Sequence, residues 1–334
     1  MAPAAALRRL LNGYQVSQAV HVAAVLGVPD LLADGPRTPD ELAPVAGADT
    51  DALRRLLRAL AAVGVLHEDE DDRFSLTQLG DCLRRDAPDS LAAWAVFAGR
   101  PHHWTAWGHL LDGIRSGENV FKSLHGVDVW QYRAEHAEER AVFDAAMVAL
   151  TRRTNASVLE AYDFGRFRTL VDVGGGLGTF VAAVLAAYPS LQGILFDQPH
   201  VLADADELLR EAGVADRCRV VTGSFFDGVP EGGDAYVLKS ILHDWPDEES
   251  RTILRACRHA IVSDGRLLIV ERVVGRPNEG ADTKFSDLNM LVMPGGRERT
   301  LEEFAALFEA AGFRLEGETP TASGFSVLAA TPSG

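Results

Sequence analysis

Short apolar runs alternate with longer amphipathic stretches in the second half of the chain. Five runs have the length of buried strands and are bounded by turn residues; they lie at 169–173, 193–197, 218–221, 234–238 and 266–270. Helical spacing between them, over 179–187 and 247–261, completes a strand–helix alternation. Two further strands are predicted near the end, at 313–317 and 326–330. This order predicts the α/β class, with a doubly wound and mostly parallel sheet.

The first part of the chain, to about residue 92, has the spacing of helices instead. Apolar residues predict a helix over 13–33, which Gly27-Val28-Pro29 interrupts. Thr38, which is followed by proline and two acidic residues, is a typical N-cap of the next helix. A third helix begins near residue 50. Two short strands around an acidic turn follow, over 65–76. Three helices and a hairpin in this order are typical of a winged helix.

The composition is that of an ordinary globular protein. The chain has 334 residues, of which 47% are apolar and 24% are charged, and its length suggests two domains. No apolar stretch approaches the roughly 20 residues that cross a bilayer, and no apolar core follows the basic pair at 8–9 as in a secretory signal. Three well-separated cysteines indicate a reducing compartment. We therefore expect a cytoplasmic protein without a membrane partner.

Many winged helices bind DNA, so this function has to be weighed. The helix near residue 50 carries Arg54, Arg55 and Arg58, which could contact phosphates. The turn at 68–72, however, consists of five acidic residues, and the formal net charge of the chain is −16. Because such a surface repels a phosphate backbone, we expect no nucleic-acid partner and interpret this region as a packing or dimerisation domain.

A glycine-rich turn follows the first predicted strand of the sheet. Its glycines stand at 174, 176 and 178, in the spacing G-x-G-x-G, and Thr179 occupies the position where the dinucleotide fingerprint requires glycine. An NAD-dependent dehydrogenase is therefore disfavoured. The tighter spacing after an acidic residue is the form used for S-adenosylmethionine. Asp197 ends the next strand, where a carboxylate can accept both ribose hydroxyls.

A histidine with acidic neighbours follows the fourth strand. His243 lies in the segment Leu-His-Asp-Trp-Pro-Asp at the carboxyl edge of the sheet, the side on which ligands bind. Glu271, at the end of the fifth strand, and Glu298 could reach the same edge. A carboxylate that accepts a hydrogen bond from one imidazole nitrogen leaves the other nitrogen free as a base.

Aromatic residues are concentrated between about 90 and 160, a stretch with helical spacing. They are Trp94, Phe97, Trp104, Trp107, Phe121, Trp130, Tyr132 and Phe143. Most are expected to pack between helices, and some are expected to line a pocket for a flat, apolar substrate.

Four ordered motifs resemble one family of enzymes. They are Asp-Val-Gly-Gly-Gly-x-Gly at 172–178, Phe-Asp-x-Pro-His-Val at 196–201, Leu-His-Asp-Trp-Pro-Asp-Glu at 242–248 and Pro-Gly-Gly-Arg-Glu-Arg-Thr at 294–300. Together they resemble the cation-independent, S-adenosylmethionine-dependent O-methyltransferases that include plant caffeic-acid and flavonoid enzymes and bacterial polyketide-tailoring enzymes. The resemblance covers nearly the whole chain, because that family also begins with a winged-helix dimerisation domain.

The resemblance implies a fold and a division into domains. We expect a Rossmann-like methyltransferase sheet with an antiparallel C-terminal strand, preceded by a mostly helical winged-helix dimerisation domain. Residues 1–92 would form that domain, 93–160 a helical linker that contributes to the substrate pocket, and 161–334 the S-adenosylmethionine-binding catalytic domain. A homodimer is expected, in which residues 1–30 reach into the partner, since their apolar helix face would otherwise be exposed.

The resemblance also implies roles for individual residues. His243 would be the general base, with Glu271 and Glu298 flanking it. The residues expected to bind the cofactor are Asp172, Gly174, Gly176, Asp197, Ser224, Phe225, Lys239 and Thr151. Those expected to bind the substrate are Phe143, Met147, Asp244, Met290 and Met293. Ser224 stands where the family usually has aspartate, so it should hold the adenine amino group more weakly.

The implied reaction is methylation of a phenolic hydroxyl of an aromatic secondary metabolite, of the polyketide type, without a metal and with S-adenosylhomocysteine as product. An unperturbed phenol near pKa 10 and a histidine near 6.5 differ by about 3.5 units, so complete proton transfer before methylation would be uphill by roughly 5 kcal/mol. Two alternatives stay open. A cation-dependent catechol-type methyltransferase would resemble a shorter, single-domain chain. A protein of this fold with altered tailoring activity is the other, although this chain keeps the histidine that some bacterial relatives have lost.

Overall fold

The computed structural model describes residues 2–333 and divides into two compact units. The first unit contains the chain up to Thr105 together with His136–Leu150. The second contains Ala106–Glu135 together with the chain from Thr151 onward. Within residues 2–333, no helix combines the length and the apolar character needed to cross a membrane.

The first unit is mainly helical. Its elements in chain order are α1 (Pro3–Leu11), α2 (Gly13–Val25), α3 (Val28–Leu31), α4 (Pro39–Ala46), α5 (Thr50–Ala62), β1 (Leu66–Glu68), β2 (Phe74–Leu76), α6 (Gln78–Asp81), α7 (Ala92–Ala98) and the start of α8 (Pro101–Gly108). Three short helices of the second unit follow, α9 (Leu110–Ser116), α10 (Val120–His125) and α11 (Val129–Glu135). The long helix α12 (Ala137–Ala161) begins in the first unit and ends in the second.

The helix starts predicted in the first unit are confirmed. The Thr38 hydroxyl accepts a hydrogen bond from the backbone N–H of Glu41 at 3.3 Å, while the Glu41 carboxylate accepts one from the Thr38 N–H at 2.8 Å, which is a capping box. Asp49 caps α5 by accepting from the Ala52 N–H at 2.9 Å. β1 and β2 form the predicted antiparallel hairpin. Helix, helix and hairpin pack through one core, whose most buried members include Leu42, Leu57, Leu60 and Phe74.

The three arginines of α5 are paired with carboxylates. Arg54 Nε lies 2.9 Å from Asp72 Oδ2, and Arg58 Nε lies 2.9 Å from Glu68 Oε1. Arg55 forms an ion pair with Asp51 one helical turn away. The acidic turn of the hairpin therefore compensates the positive charge that a phosphate backbone would need.

The second unit contains the sheet. Its elements after α12 are β3 (Thr169–Val173), α13 (Thr179–Ala187), β4 (Gln192–Asp197), α14 (Ala205–Glu211), β5 (Cys218–Thr222), β6 (Ala235–Lys239), α15 (Asp247–Ala260), β7 (Arg266–Glu271), α16 (Ala281–Val292), α17 (Leu301–Ala310), β8 (Phe313–Pro320) and β9 (Ser326–Pro332). The seven strands pair in the order β5-β4-β3-β6-β7-β9-β8. Neighbours from β5 to β7 are parallel, and β9 is antiparallel to both β7 and β8.

This architecture confirms the predicted fold class, including the antiparallel C-terminal strand. The central parallel strands β3, β6 and β7 are buried on both faces, as expected for mostly apolar runs without alternation. The main differences lie at element ends, since β8 continues to Pro320 and β9 to Pro332. Helix α16 had no counterpart among the predicted elements, although it contributes to the site described next.

Candidate active site

The carboxyl ends of neighbouring strands bring the site together. The glycine turn follows β3, Asp197 ends β4 and Glu271 ends β7. His243 lies in a 3-10 turn, Leu242–Asp244, shortly after β6. Because β3 has β4 on one side and β6 on the other, the strand order reverses here, and ligands of doubly wound sheets bind at such a point.

The glycine turn exposes bare backbone. Its φ angles are 70° at Gly174, 60° at Gly176 and 86° at Gly178, a region that other residues rarely adopt. A Cβ on Gly176 would meet nothing within 4 Å, whereas a Cβ on Gly174 would stand 2.6 Å from Cδ1 of Ile241. The turn therefore leaves room for a ligand beside Gly176 and allows close approach of a side chain at Gly174.

Two acidic residues lie beside this turn. Asp197 accepts hydrogen bonds from the N–H of Gly176 at 2.9 Å and from its neighbour Gln198 at 2.6 Å, and each of its oxygens keeps a further lone pair. Asp172 is 1% exposed, its Oδ2 has no hydrogen-bond partner among the described residues, and burial raises the pKa of its carboxyl to about 7. Together they place acceptor oxygens around the turn.

Lys239 is the basic residue of this edge. Burial lowers the pKa of its ammonium group to about 8, although the carboxylates of Asp172 and Glu271 act to raise it. The ammonium group therefore interacts with one acidic residue near the end of β3, Asp172, and with one at the end of β7, Glu271, and offsets part of their negative charge.

Ser224 and Phe225 follow β5, as the resemblance requires. The Ser224 hydroxyl accepts a hydrogen bond from the N–H of Phe226 at 3.3 Å, which stabilises a local turn. The rings of Phe225 and Phe226 both meet the indole of Trp245 edge-on, with centroid distances of 5.9 and 4.8 Å. Phe225 also lies against Gly174, since a Cβ there would stand 3.5 Å from its ring. An apolar ring surface thus borders the glycine turn.

Thr151 contacts the start of the helix that follows the glycine turn. Its hydroxyl oxygen lies 3.4 Å from that of Thr179, the first residue of α13. Asn155, one turn further along α12, donates a hydrogen bond to the Thr179 carbonyl at 3.2 Å and is 4% exposed. Asn155 was missed by the sequence analysis, because a lone asparagine in a long helix carries no motif.

The imidazole of His243 is held by carboxylates. Its Nδ1 lies 3.0 Å from Oε1 of Glu298 and 3.6 Å from Oε2 of Glu271. Glu298 Oε1 also accepts a hydrogen bond from the Ser286 hydroxyl at 2.7 Å. Since an ionised carboxylate can only accept, Nδ1 carries the proton of the Glu298 hydrogen bond. Nε2 points away from this pair and lies 3.5 Å from Oδ1 of Asp244.

The same carboxylates set the protonation state of the site. Burial acts to lower the pKa of His243, but Glu271, Asp244 and Glu298 outweigh it and raise the pKa to about 10. Burial raises the pKa of Glu271 to about 7 and that of Asp244 to about 6. Burial also acts against ionisation of Glu298, yet the hydrogen bond from His243 keeps its pKa below the ordinary value. His243 is therefore a strong base that carries a proton at neutral pH.

Glu271 also holds the backbone of the histidine turn. Its Oε1 accepts hydrogen bonds from the N–H groups of Ile241 and Leu242, each at 2.9 Å. The side chain is 0% exposed, so these bonds are not shared with solvent. Its two oxygens thus act on different targets, one on the backbone and the other on the imidazole.

The residues predicted to bind substrate are distributed over both units. Asp244 lies beside His243, and Met290 is buried on α16. Met293 packs with Phe121 and Val129 in a buried apolar cluster of the second unit, and its carbonyl accepts a hydrogen bond from Asn119 at 3.1 Å. In the first unit, Phe143 and Met147 lie half-buried on α12, where Phe143 meets Phe97 edge-on at 5.7 Å.

Helix α16 supplies further polar groups that the sequence analysis missed. Ser286 bonds Glu298, and Asp287 accepts a hydrogen bond from the Glu298 N–H at 2.9 Å. Asn289 accepts one from the indole N–H of Trp107 at 3.1 Å. The signal for these residues in the sequence is only their presence on one amphipathic helix.

These features fit S-adenosylmethionine. The open backbone at Gly176, the acceptor oxygens of Asp197 and the Phe225 ring suit a cationic nucleoside with ribose hydroxyls and a flat base. The buried carboxylates suit the positive charge of a sulfonium group.

Comparison with known proteins agrees with this geometry. Residues 107–314 match the O-methyltransferase domain family, and residues 8–86 match the O-methyltransferase dimerisation domain family. Phenazine O-methyltransferase PhzM of Lysobacter antibioticus is 44% identical over 326 residues, which cover 98% of this chain and 95% of that protein.

Solved structures show the same fold. The crystal structure of LaPhzM superposes with a TM-score of 0.96 at 43% identity and covers 99% of this chain and 100% of that one. The O-methyltransferase NcsB1 from neocarzinostatin biosynthesis, in complex with S-adenosylhomocysteine and 1,4-dihydroxy-2-naphthoic acid, gives a TM-score of 0.82 at 34% identity, with 95% and 96% of the two chains covered.

Fold and site thus define an S-adenosylmethionine-dependent methyltransferase with an N-terminal dimerisation domain. The chain belongs to the O-methyltransferase family that modifies secondary metabolites.

Proposed function

We propose that this enzyme methylates a phenolic hydroxyl of an aromatic secondary metabolite, with His243 as the general base. The observation that carries the proposal is the contact of His243 Nδ1 with Glu298 at 3.0 Å, which orients Nε2 away from the carboxylate and toward the reacting side of the site. The aromatic acid bound by the relative NcsB1 supports an aromatic acceptor. A polyketide-type phenol is the proposed class.

The energetics of the base follow from its environment. At pH 7 a base with a pKa of about 10 is protonated, and the neutral imidazole costs about 4 kcal/mol to form. Once neutral, it matches a phenol of pKa near 10, so transfer from the substrate is then almost even. The carboxylates thus make proton transfer from the phenol to the neutral imidazole easier. The free-energy cost lies instead in the earlier step, in which His243 loses its own proton. A phenol whose pKa is lowered by a neighbouring carbonyl group would reduce the total free-energy cost of deprotonation.

We propose that the cofactor is held by the residues predicted for it. Gly174 and Gly176 present backbone to its methionine part, Asp197 accepts from the ribose hydroxyls, and Phe225 covers the adenine, with the Ser224 hydroxyl at its edge. Three further residues are proposed to stabilise this surface, namely Asp172, Lys239 and Thr151. Lys239 interacts with the Asp172 carboxylate, and Thr151 contacts Thr179 after the glycine turn. When bound, S-adenosylmethionine supplies an electrophilic methyl group that needs no metal for its activation.

The protein's remaining task is alignment. Holding the acceptor oxygen in line with the methyl carbon at near-attack distance is worth several kcal/mol. We propose that Asp244, Met290 and Met293 shape the acceptor site for this purpose. We also propose the domain limits 1–92, 93–160 and 161–334 for dimerisation, pocket formation and catalysis.

A homodimer is part of the proposal. The dimerisation family match covers residues 8–86, and helix α1 exposes Leu7, Leu10 and Leu11 by 57%, 79% and 67%. Burying these side chains against a second copy would remove apolar surface from water. The acidic turn and the overall charge of −16 argue against nucleic acid as a partner.

A second candidate is a cation-dependent methyltransferase. His243, Glu271 and Glu298 each offer one donor atom, and these atoms lie within 4.8 Å of one another, close enough to share a cation. A metal would have to displace the proton that Nδ1 shares with Glu298.

The decisive experiment is transfer of an isotope-labelled methyl group from S-adenosylmethionine to a panel of aromatic acceptors, with and without a chelator. We expect labelled methyl ethers from phenols, unchanged by EDTA. Loss of activity with EDTA and its return with Mg²⁺ would favour the cation-dependent candidate. Turnover of acceptors without label in the product would indicate an altered tailoring activity.

A further inference from the structure

The largest fully buried side chain in the described part of the protein is that of an arginine next to the site. Arg299 is 1% exposed and lies just after Glu298. Its Nη1 donates a hydrogen bond to the Leu242 carbonyl at 2.8 Å, and its Nη2 donates one to the Trp245 carbonyl at 2.9 Å. These two carbonyls stand on either side of His243 and Asp244, so one guanidinium group holds both ends of the segment.

The guanidinium charge is compensated locally. Its Nε and Nη2 lie 3.0 and 2.8 Å from Oδ1 of Asp247, the first residue of α15. Nη2 also lies 3.2 Å from the hydroxyl of Ser250. The planar group therefore uses all three of its nitrogens, and a lysine ammonium could not reach these partners at once.

A second charged group holds the same turn through its backbone donors. Glu271 accepts from the N–H groups of Ile241 and Leu242 at the start of the turn, as described above. Arg299 donates to the carbonyls of Leu242, the first residue of the turn, and of Trp245, the residue that follows it. A buried carboxylate and a buried guanidinium thus satisfy backbone donors and acceptors around His243 and Asp244.

The strand-like segment before Arg299 contacts the same turn through its backbone. The N–H of Arg297 donates to the His243 carbonyl at 2.9 Å. A Cβ on Gly296 would stand 2.1 Å from that carbonyl oxygen, so only glycine allows this approach. Residues 296–299 thus position the backbone of His243 and carry its carboxylate partner Glu298.

We propose that Arg299 is a positioning residue for His243, which fixes the backbone of the histidine turn and thereby the direction of the imidazole. This inference rests on the proposed role of His243 as the base. It assigns the motif Pro-Gly-Gly-Arg-Glu-Arg-Thr at 294–300 two functions, in which Glu298 orients the ring and Arg299 orients the main chain that bears it.

The test compares Arg299→Lys and Arg299→Met with the matched control Arg255→Met, whose side chain is half-exposed and pairs with Glu248 on the surface of α15. A misplacement of a reacting group by about 1 Å can cost roughly 10²-fold in rate. We expect kcat to fall about 10²-fold in Arg299→Met and less in Arg299→Lys, while the KM for the acceptor and the Kd for S-adenosylmethionine change less than threefold. Arg255→Met should keep the wild-type kcat.

His243→Ala is measured in parallel and in combination with Arg299→Met. If Arg299 acts through His243, the double variant is no slower than His243→Ala alone. A wild-type kcat in both Arg299 variants, or a further loss in the double variant equal to that in the single one, would overturn the inference.

Equal losses of kcat and cofactor affinity, with a lowered Tm, would show a structural role instead. If His243→Ala keeps its activity, the proposed function fails and not the Arg299 contact itself. If Arg299→Met does not fold, Arg299→Lys alone is used. A lower kcat with an unchanged KM supports the inference, and a wild-type kcat overturns it.

Discussion

The Nδ1 atom of His243 lies 3.0 Å from Oε1 of Glu298, two residues that are 55 positions apart in the chain. The Ser286 hydroxyl donates a hydrogen bond to the same oxygen at 2.7 Å, so Oε1 is held by Ser286 as well as by His243. This contact fixes Nδ1 as the imidazole nitrogen that carries the proton toward Glu298, and it leaves Nε2 on the other side of the ring, 3.5 Å from Oδ1 of Asp244. It connects a loop after β6 with the segment before α17, and its consequences can be measured.

Removing the imidazole tests the base directly. We expect His243→Ala and His243→Gln to lower kcat by about 10²–10⁴-fold, the usual contribution of a general base. S-adenosylmethionine should still bind with a similar Kd in calorimetry, because the glycine turn and Asp197 are unchanged. The exposed His259 on α15 offers a matched control, and His259→Gln should leave kcat unchanged. Wild-type turnover in His243→Ala would mean that alignment alone accounts for the rate.

The pH dependence of kcat/KM reports the free enzyme. Because Glu271, Asp244 and Glu298 outweigh burial and raise the pKa of His243 to about 10, the base is protonated and inactive at low pH. We therefore expect kcat/KM to rise with pH from 7 toward 10 without a plateau near neutrality. A profile that is already flat above pH 7.5 would contradict the raised pKa.

Replacing the orienting carboxylate should shift that profile. Glu298→Gln keeps an acceptor oxygen for the Nδ1 proton but removes its negative charge, which roughly halves a hydrogen bond worth about 1.5–3 kcal/mol, so kcat should fall about 3- to 10-fold. Since one negative charge is lost, the pKa of His243 falls and the inflection moves to lower pH. Glu303→Gln, on the surface of α17, is the control and should change neither value. An unchanged inflection in Glu298→Gln would show that Glu298 does not set the charge of the imidazole.

Ser224 is expected to limit cofactor affinity. Introducing a carboxylate by Ser224→Asp offers a stronger acceptor for the adenine amino group, worth about 1.5 kcal/mol, or roughly tenfold in Kd. Asp can keep the local turn, because its carboxylate can accept from the Phe226 N–H as the serine does. Calorimetry with S-adenosylhomocysteine measures the change, and Ser224→Ala should act in the opposite direction. Weaker binding in Ser224→Asp would place the adenine elsewhere.

The exposed leucines of α1 test the dimer. We expect the wild-type chain to be a dimer at micromolar concentration in light scattering. Replacing Leu7 and Leu11, which are 57% and 67% exposed, by glutamate should give monomers, because the charges would have to be buried. Arg9→Glu on the same helix is the control and should stay dimeric. A wild-type monomer would contradict the proposed partner.

Much of this protein could be predicted from local sequence. The central strands β3, β6 and β7 are mostly apolar runs, and the caps at Thr38 and Asp49 are short-range hydrogen bonds between residues three apart. The glycines at 174, 176 and 178 indicate a tight backbone turn, and the structure shows it as positive φ angles at all three positions. Such features depend on neighbours in the chain, so the pattern of residues is sufficient to identify them.

The rest depended on contacts between distant segments. Arg299 and Ser286 look like ordinary surface residues in the sequence, yet one is fully buried against the histidine turn and the other bonds Glu298. The protonation of His243 differs from the unperturbed value because three carboxylates from separate loops and strands converge on it. Sequence by itself determined the class of fold and the family, and it proposed the cofactor and the central residues. Only the tertiary structure decided how those residues are charged and held, because electrostatic energy and hydrogen bonding depend on distance in space and not along the chain.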